Sequence, residues 1–441
     1  MAQTDRSNFN VDAALAEMES RYASANPSSE AAHTAACRAM PGGNTRSVLF
    51  YAPFPLTLAG GEGCRIRDVD GHEYLDFQVE QTAGLYGHSE PVILDAVRAA
   101  MAEGITLGGP TTREAQLAEL FAARFPAVEL MRFTNSGTEA NLIALSTARA
   151  VTGKSKLLAF AGSYHGSVLS FGGYGAALNV PFDWTLARYN DVEGTRNTIR
   201  ELAEDLAAVV IEPMTGSGGC IPASSEFVTM LREETERAGC VLLFDEVMTS
   251  RLSPGGLHGL WGVKPDLVSF GKYLGGGLTF GAFGGARHLM EHFDPRRADA
   301  LTHAGTFNNN VLTMSAAIAG LEQVYTVDAA VRLNASGDRL RERLNAALLN
   351  RGVAGQVTGI GSMMMVHLTD APLNGPQDSD QVSKALRGLL HMALIERGIY
   401  VSRRNMVVLS LPMGEAELDA MHDAFDDALR AYESVLPRRT S

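Results

Sequence analysis

The sequence predicts an α/β protein in which helices cover both faces of a mostly parallel β-sheet, joined to a smaller α+β lobe. In the middle of the chain, short and almost continuously apolar segments alternate with helical patterns, which is typical of parallel strands buried on both faces. From about residue 326 onward, long helices alternate with only two strand-like segments. The chain has 441 residues, more than one compact core usually holds, so we expect two domains.

The first 85 residues are expected to form an N-terminal arm and part of the smaller domain. Residues 1–35 have a helical pattern whose apolar face predicts packing on another part of the chain, through Val11, Ala14, Leu15, Met18 and Tyr22. Between Met40 and Phe77 the pattern changes to short strands and turns. Asp70-Gly71 lies between two alternating segments and predicts a β-hairpin.

Residues 86–325 are expected to form the large domain, and residues 326–441 the rest of the smaller one. The large domain has candidate strands at 131–134, 156–160, 208–212, 241–244 and 267–270, with helices such as 138–151 and 226–238 between them. Ligands in such sheets bind at the carboxyl ends of the strands. The smaller domain has predicted helices at 329–349 and 380–397 and predicted strands at 362–367 and 407–411.

The composition excludes several classes of function. Hydrophobic residues make up 46% and charged residues 20%, and the formal charge of −13 argues against nucleic acid as the main partner. The four cysteines, Cys37, Cys64, Cys220 and Cys240, are too scattered for a disulfide framework or a zinc site, and we expect no metal. Because there is neither a signal-peptide core nor an apolar segment of about 20 residues, we expect a cytoplasmic protein without a membrane partner.

Lys272 and Asp245 are the strongest candidates for catalysis. Lys272 follows an apolar strand and opens a glycine-rich loop, and Asp245 ends another apolar strand. An amine that can form a Schiff base, with an acid that can hold a protonated pyridine nitrogen, is what pyridoxal phosphate chemistry requires. A lone lysine in a loop is more often a solvated charge. However, an aspartate at the end of an apolar strand is partly desolvated and needs a cationic or hydrogen-bonding partner, which a protonated pyridine nitrogen would supply. Glu246 is expected to point to the opposite side of its strand.

Ser136, Gly137 and Thr138 lie between a strand and a helix and predict an anion site suited to a phosphate. The first-turn N–H groups of a helix attract anions, and Gly137 lets the backbone approach a ligand closely. Plain capping of the helix is the alternative. The segment lacks the Gly-Lys-Ser/Thr ending of nucleotide phosphate loops.

Three further positions could complete a cofactor site. Tyr164 follows a strand and could stack on a flat ring, or only anchor a turn. Glu212 could orient ring substituents, or be an exposed charge at a strand end. Thr306 and the amides after it could complete a phosphate cup or cap a helix. A dinucleotide site at Gly271–Gly285 is poorly supported, because the required strand, helix and acidic residue are not in place.

Six motifs occur in one order along the chain: Asn135-Ser136-Gly137-Thr138-Glu139-Ala140, Tyr164-His165-Gly166, Glu212-Pro213, Phe244-Asp245-Glu246-Val247, Gly271-Lys272 and Gly305-Thr306-Phe307. From about Met40 to the C-terminus the chain resembles the class III, fold-type I, pyridoxal-phosphate aminotransferases. The resemblance implies a seven-stranded sheet in the large domain and an obligate homodimer with active sites at the interface. It also implies residue roles: Lys272 as the Schiff-base lysine, Asp245 on the pyridine nitrogen, Ser136, Gly137 and Thr138 on the phosphate, Tyr164 and Val247 on the ring faces, and Thr306 on the phosphate of the neighbouring subunit.

Within this family, Met40-Pro-Gly-Gly43 is similar to glutamate-1-semialdehyde aminomutases. The segments 44–55 and 402–412 more closely resemble transaminases acting on β-phenylalanine. That resemblance implies that Arg46 binds the carboxylate of a β-amino acid and that Arg404 is a movable arginine for the second carboxylate of an acceptor. Arg403 is expected to be a surface charge.

The expected activity is ping-pong transfer of an amino group from a β-amino acid to a 2-oxo acid, 2-oxoglutarate or pyruvate. Two alternatives stay open from the sequence. An aminomutase would need no external acceptor. A nicotinamide-binding or non-enzymatic α/β protein would be colourless and insensitive to borohydride.

Overall fold

The computed structural model describes residues 5–439, apart from the side chains of residues 5–10 and 173–175. Its strands form three sheets. They are β1 (Leu58–Glu62), β2 (Arg65–Asp68), β3 (Glu73–Asp76), β4 (Leu130–Thr134), β5 (Lys156–Phe160), β6 (Asp183–Ala187), β7 (Leu206–Ile211), β8 (Val241–Asp245), β9 (Leu267–Gly271), β10 (Gly281–Gly285), β11 (Gln356–Ile360), β12 (Met363–His367), β13 (Ile399–Tyr400) and β14 (Met406–Val408).

The helices lie between and around these strands. They are α1 (Asp5–Ala25), α2 (Pro27–Ala36), α3 (Pro91–Glu103), α4 (Thr112–Arg124), α5 (Gly137–Thr152), α6 (Val192–Leu202), α7 (Ser225–Ala238), α8 (Gly256–Trp261), α9 (Arg287–Met290), α10 (Val311–Ala319), α11 (Val327–Asn350), α12 (Pro376–Asp380), α13 (Lys384–Glu396) and α14 (Glu415–Ala431). In residues 5–439, the helices are too short or too polar to cross a membrane.

The central sheet has seven strands in the order β4-β10-β9-β8-β7-β5-β6. Its strands are parallel except β10, which runs antiparallel to both β4 and β9. All residues of β7, β8 and β9 are buried, because helices such as α5 and α7 cover the sheet. The expectation of a fold-type I architecture with a mostly parallel seven-stranded sheet is therefore confirmed.

The two smaller sheets combine distant parts of the chain. The hairpin of β2 and β3 forms around Asp70-Gly71 as expected, and β13 from the C-terminal segment pairs in parallel with β3. The third sheet has the order β11-β12-β14. Helix α1 packs near α13, where Arg21 pairs with Glu396 at 3.0 Å.

Two predicted helical segments differ from the structure in where helices begin and end. The expected helix over residues 1–35, of which residues 1–4 lie outside the described residues, is two helices that meet at Asn26. Pro27 occupies the first position of α2, where a missing N–H costs nothing. The expected helix over 380–397 begins later, as α13 at Lys384, because the Ser383 side chain caps it by accepting from the Leu386 N–H. Asp380 is the last residue of α12.

Candidate active site

Asp245 and Lys272 lie at the carboxyl ends of the neighbouring strands β8 and β9. Asp245 pairs in register with Ser269, three residues before Lys272. The Ser269 hydroxyl donates to Asp245 Oδ1 at 3.4 Å, and the Val247 N–H donates to the same oxygen at 3.0 Å. The parallel sheet therefore brings the two strongest sequence candidates to one edge.

The other oxygen of Asp245 is held by two side chains that the sequence did not identify as part of the site. Asn141 Nδ2 and His165 Nδ1 each lie 2.8 Å from Asp245 Oδ2, so both donate to it. All three residues are buried. Asn141 lies one turn into α5 and His165 directly follows Tyr164, so their places beside two motifs were the only signal in the sequence.

Lys272 is half-buried, and its backbone has an unfavourable conformation. Its φ of 55° lies in the left-handed region, which a residue with a Cβ adopts at a cost. Burial lowers the pKa of the Lys272 ammonium, Arg46 lowers it further, and the carboxylates of Asp245, Glu212 and Glu80 oppose the shift. A lowered pKa favours the neutral amine, which is the nucleophilic form.

The N-terminus of α5 forms a site for an anion. Ser136 caps the helix, since its Oγ accepts from the Glu139 N–H at 3.2 Å. The Ala140 N–H donates to the Ser136 carbonyl. The N–H groups of Gly137 and Thr138 have no hydrogen-bond partner in the described part of the chain. Capping and anion binding are therefore compatible here, because they use different N–H groups.

Glycines allow other residues to pack closely beside this helix end. A Cβ built on Gly137 would lie 2.7 Å from a methyl group of Val247, and one on Gly166 would lie 2.4 Å from Thr138 Oγ1. Gly271 also packs against Val247. Thr138, Val247 and the start of the Lys272 loop therefore lie close together, at distances that side chains at 137, 166 and 271 would prevent.

Tyr164 and Glu212 line the same region. Tyr164 is 44% exposed, and its N–H donates to Glu212 Oε1 at 3.0 Å. Glu212 is buried, contrary to the alternative of an exposed strand end, and also accepts from the Gly216 N–H at 2.8 Å. Burial raises the pKa of Glu212, and Asp245 adds to this rise.

Arg46 lies on the loop before β1 and is within electrostatic reach of Lys272. Its guanidinium forms an ion pair with Glu80. Its charge adds to the lowering of the Lys272 pKa and opposes the rise that burial causes in the pKa of Tyr164. The sequence did not indicate Glu80 as a partner. Arg46 therefore lies near enough to Lys272 and Tyr164 for its charge to act on both.

Arg404 lies in the C-terminal segment, between β13 and β14. Its Nη2 pairs with Asp380 Oδ1 at 2.8 Å, and its Nε is buried with no hydrogen-bond partner among residues 5–439. Arg404 also acts on the pKa of Cys220, a group that Glu212 influences too. Arg403 is exposed, as expected, and donates to the Phe50 carbonyl at 3.0 Å.

Thr306 is exposed and lies in the segment before α10. This segment contacts the anion site only indirectly, through a 2.9 Å hydrogen bond from Asn135 to Asn308. The structure thus groups the Lys272, Asp245, Tyr164, Glu212, Val247 and Arg46 positions, and leaves Thr306 on the surface.

Residues 50–429 match the protein family described as aminotransferase class-III. This chain belongs to the class-III aminotransferases. The aminotransferase is 49% identical to a β-phenylalanine transaminase of Variovorax paradoxus over 428 residues, 97% of this chain and 98% of the relative. The solved structure of a β-phenylalanine aminotransferase from that organism matches with a TM-score of 0.96, covering 98% of this chain and 100% of that chain.

Two less similar relatives also match most of the chain. A glutamate-1-semialdehyde 2,1-aminomutase of Desulfitobacterium hafniense is 34% identical, over 89% of this chain and 95% of the relative. A solved transaminase with PLP bound is 33% identical, with a TM-score of 0.86 over 93% of this chain and 98% of that chain. The chain is a pyridoxal-phosphate-dependent aminotransferase.

The residues of the aminotransferase fit this cofactor. Two unused N–H groups at a helix N-terminus suit its phosphate. Asn141 Oδ1 and His165 Nε2 are buried polar atoms with no partner in the described residues, behind an aspartate that can hold a pyridine nitrogen. Gly137 and Gly271 let Val247 pack against the start of α5, so Val247 lies beside the anion site.

Proposed function

We propose that this aminotransferase moves the amino group of a β-amino acid, such as β-phenylalanine, to a 2-oxo acid, 2-oxoglutarate or pyruvate, in a ping-pong cycle. The observation that carries the proposal is Lys272 beside Asp245 at one edge of the central sheet, with the charge of Arg46 close enough to act on Lys272. The 49% identity to a β-phenylalanine transaminase supports the same substrate class.

The cofactor, when bound, supplies an aldehyde that the Lys272 amine can hold covalently and a ring that accepts electrons. Asp245 would hold the ring nitrogen, and its two neighbours Asn141 and His165 would keep its carboxylate oriented. The phosphate would be bound by Ser136, Gly137 and Thr138. Tyr164 and Val247 would contact the two faces of the ring, and Glu212 would orient its substituents.

Lys272 would move the proton at the reacting carbon. Its Nζ would act as the base there, with a pKa that burial lowers toward the range useful for proton transfer. Because one base acts from one side, a single enantiomer is expected to react.

Arg46 would select β-amino acids by the distance between its guanidinium and Lys272. In a β-amino acid the carboxylate lies one methylene further from the amine than in an α-amino acid. A charge-assisted clamp fitted to one class therefore misplaces the reacting C–H bond of the other by about 1 Å, enough to slow the reaction strongly.

Arg404 would bind the second carboxylate of a dicarboxylic acceptor. Its guanidinium is already paired with the exposed Asp380, and exposed ion pairs contribute at most about 1 kcal/mol, so exchange for a substrate carboxylate is cheap. An acceptor without this carboxylate, such as pyruvate, would leave the pair intact.

The proposal includes a homodimer and two domains. Thr306 would reach the phosphate at the neighbouring subunit's site, which accounts for an exposed threonine in a phosphate-type segment. We also propose that residues 1–85 and 326–441 form the arm and smaller domain, and residues 86–325 the large domain. Pairing of β13 with β3 supports this division.

The test is Lys272→Ala with β-phenylalanine as donor and 2-oxoglutarate as acceptor. We expect turnover to fall below detection and the visible absorbance of bound cofactor to change, because the amine is lost. Retained turnover refutes the assignment. In the unaltered enzyme, amine loss from β-phenylalanine should require added acceptor, and amine migration without acceptor would instead indicate an aminomutase.

A further inference from the structure

The segment Val79–Thr82 is a turn with four consecutive residues in the left-handed region. Their φ angles are 50°, 45°, 54° and 80°, and each residue has a Cβ. Single left-handed residues occur in many turns, but a run of four without glycine is unfavourable at every position. Such a turn persists only where surrounding contacts hold it in place.

Contacts from three directions hold this turn. Asp76 Oδ1 accepts from the N–H groups of Gln78 and Val79 at 3.0 and 2.9 Å. Arg251, which is fully buried, donates from Nη1 to the Thr82 carbonyl at 3.2 Å. The side chains of Val79 and Thr82 are buried at 1% and 0% exposure. The ends of the turn are therefore fixed in the core.

The residue that this turn presents is Glu80. Its side chain is 54% exposed, and its Oε1 pairs with Nη1 of Arg46, whose side chain is 42% exposed. A guanidinium has five N–H groups in a fixed plane, so a carboxylate on Nη1 leaves other N–H groups for a second carboxylate. Glu80 thus contacts one edge of the Arg46 guanidinium and leaves its other donors available.

We propose that Glu80 is a positioning residue that orients Arg46 for the carboxylate of the donor substrate. The inference rests on the proposed function, in which Arg46 binds that carboxylate. A negative charge needed only to neutralise Arg46 could sit on any flexible side chain nearby. A rigid, unfavourable turn instead fixes the backbone from which the Glu80 side chain extends. The position of its carboxylate then decides how Arg46 is oriented.

The experiment compares Glu80→Gln with Glu80→Asp in the holoenzyme. Gln keeps the length and an acceptor oxygen but loses the charge, and Asp keeps the charge but withdraws it by one methylene. We measure binding of 3-phenylpropanoate by calorimetry, and kcat/KM for β-phenylalanine against 1-phenylethylamine, which lacks a carboxylate. Glu80→Asp should weaken 3-phenylpropanoate roughly tenfold, and Glu80→Gln by no more than about threefold.

The kinetic effect should be selective. In Glu80→Asp, kcat/KM for β-phenylalanine should fall by about the same factor as the affinity for 3-phenylpropanoate. The kcat/KM for 1-phenylethylamine should stay within about twofold of that of the unaltered enzyme. Binding that is unchanged or tighter in Glu80→Asp overturns the inference, as does a larger loss in Glu80→Gln than in Glu80→Asp. Glu415→Asp is the matched control, since Glu415 also pairs with an arginine through an exposed side chain but lies on α14, and it should leave 3-phenylpropanoate binding unchanged.

Arg46→Ala separates this inference from the proposed function. If Arg46→Ala binds 3-phenylpropanoate as tightly as the unaltered enzyme, the carboxylate role of Arg46 fails. If Arg46→Ala loses binding and Glu80→Asp does not, Arg46 keeps its role and only the orientation by Glu80 is wrong.

Discussion

At the scale of single residues, both arginines proposed to bind substrate are paired with acids in the chain itself. Arg46 pairs with Glu80 and Arg404 pairs with Asp380. The two acids differ in how firmly the surrounding structure holds them. Glu80 belongs to a turn with fixed ends, whereas Asp380 is an exposed residue at the end of the short helix α12. We therefore expect Arg46 to stay in place and Arg404 to exchange its partner.

Replacing Arg404 by alanine should separate the two kinds of acceptor. Arg404→Ala loses a charge-assisted contact with the second carboxylate of 2-oxoglutarate, so KM for this acceptor should rise about tenfold or more. KM for pyruvate should change less than twofold. The measurement is initial rates with a saturating donor.

Arg403→Ala is the matched control for this substitution. Arg403 is the next residue and another arginine, but it is exposed and donates to the Phe50 carbonyl. Its replacement should affect both acceptors alike and weakly. An equal loss for 2-oxoglutarate and pyruvate in Arg404→Ala would mean that Arg404 has only a structural role.

At the scale of elements, strands with a continuous apolar pattern were predictable and strands set by pairing were not. β8 is Val-Leu-Leu-Phe followed by Asp245, which shows both the strand and its polar end. β10 is Gly-Ala-Phe-Gly-Gly, a composition typical of a loop. It is a strand because it lies between β4 and β9, where a Cβ on Gly285 would come within 2.1 Å of the Asp266 carbonyl.

The same distinction holds for the site. Lys272, Asp245 and the start of α5 were predictable because each follows a strand of one parallel sheet, and the fold brings strand ends together. The contacts of Asp245 with Asn141 and His165 depend on side-chain directions across two elements. The pair of Arg46 and Glu80 depends on a left-handed turn that contains no glycine to indicate it.

Helices α6 and α7 are joined by one buried acid, Glu234. It accepts from Arg200 at 2.7 Å and Arg237 at 2.5 Å, and Arg196 lies at 3.3 Å. Hydrogen bonds from these arginines lower the pKa of Glu234 from 4.5 to about 2. A carboxyl with a lowered pKa in the folded state stabilises the protein above its unfolded pKa, and this contribution is lost as pH falls toward 2.

Glu234→Gln should therefore lower the free energy of unfolding by about 2 kcal/mol at pH 7. The difference from the unaltered protein should shrink as pH falls from 5 to 3. Urea unfolding at these pH values measures both effects. Glu193→Gln is the control, since Glu193 also pairs with Arg196 but is 76% exposed, and it should cost less than about 0.5 kcal/mol. A difference independent of pH would contradict the electrostatic origin.

At the scale of the whole molecule, three large apolar side chains are exposed together on one surface. Ile105, Leu107 and Phe307 are 46%, 48% and 58% exposed, and they line a groove of about 500 Å³ that also includes Thr306. Large exposed apolar side chains in one patch are typical of protein interfaces. A second copy of the chain on this surface would cover the patch and bring Thr306 toward its partner's phosphate site.

Phe307→Glu tests this arrangement, because a buried charge at an interface is unfavourable. We expect the dimer dissociation constant to rise at least about tenfold by analytical ultracentrifugation, and cofactor to be lost more readily on dialysis, since each site would lack Thr306 of its neighbour. Leu349→Glu is the control, with the same charge at a side chain that is 57% exposed on α11, outside the groove. It should change neither quantity. A Phe307→Glu monomer that retains cofactor as tightly as the unaltered protein would show that each subunit completes its phosphate site without its neighbour.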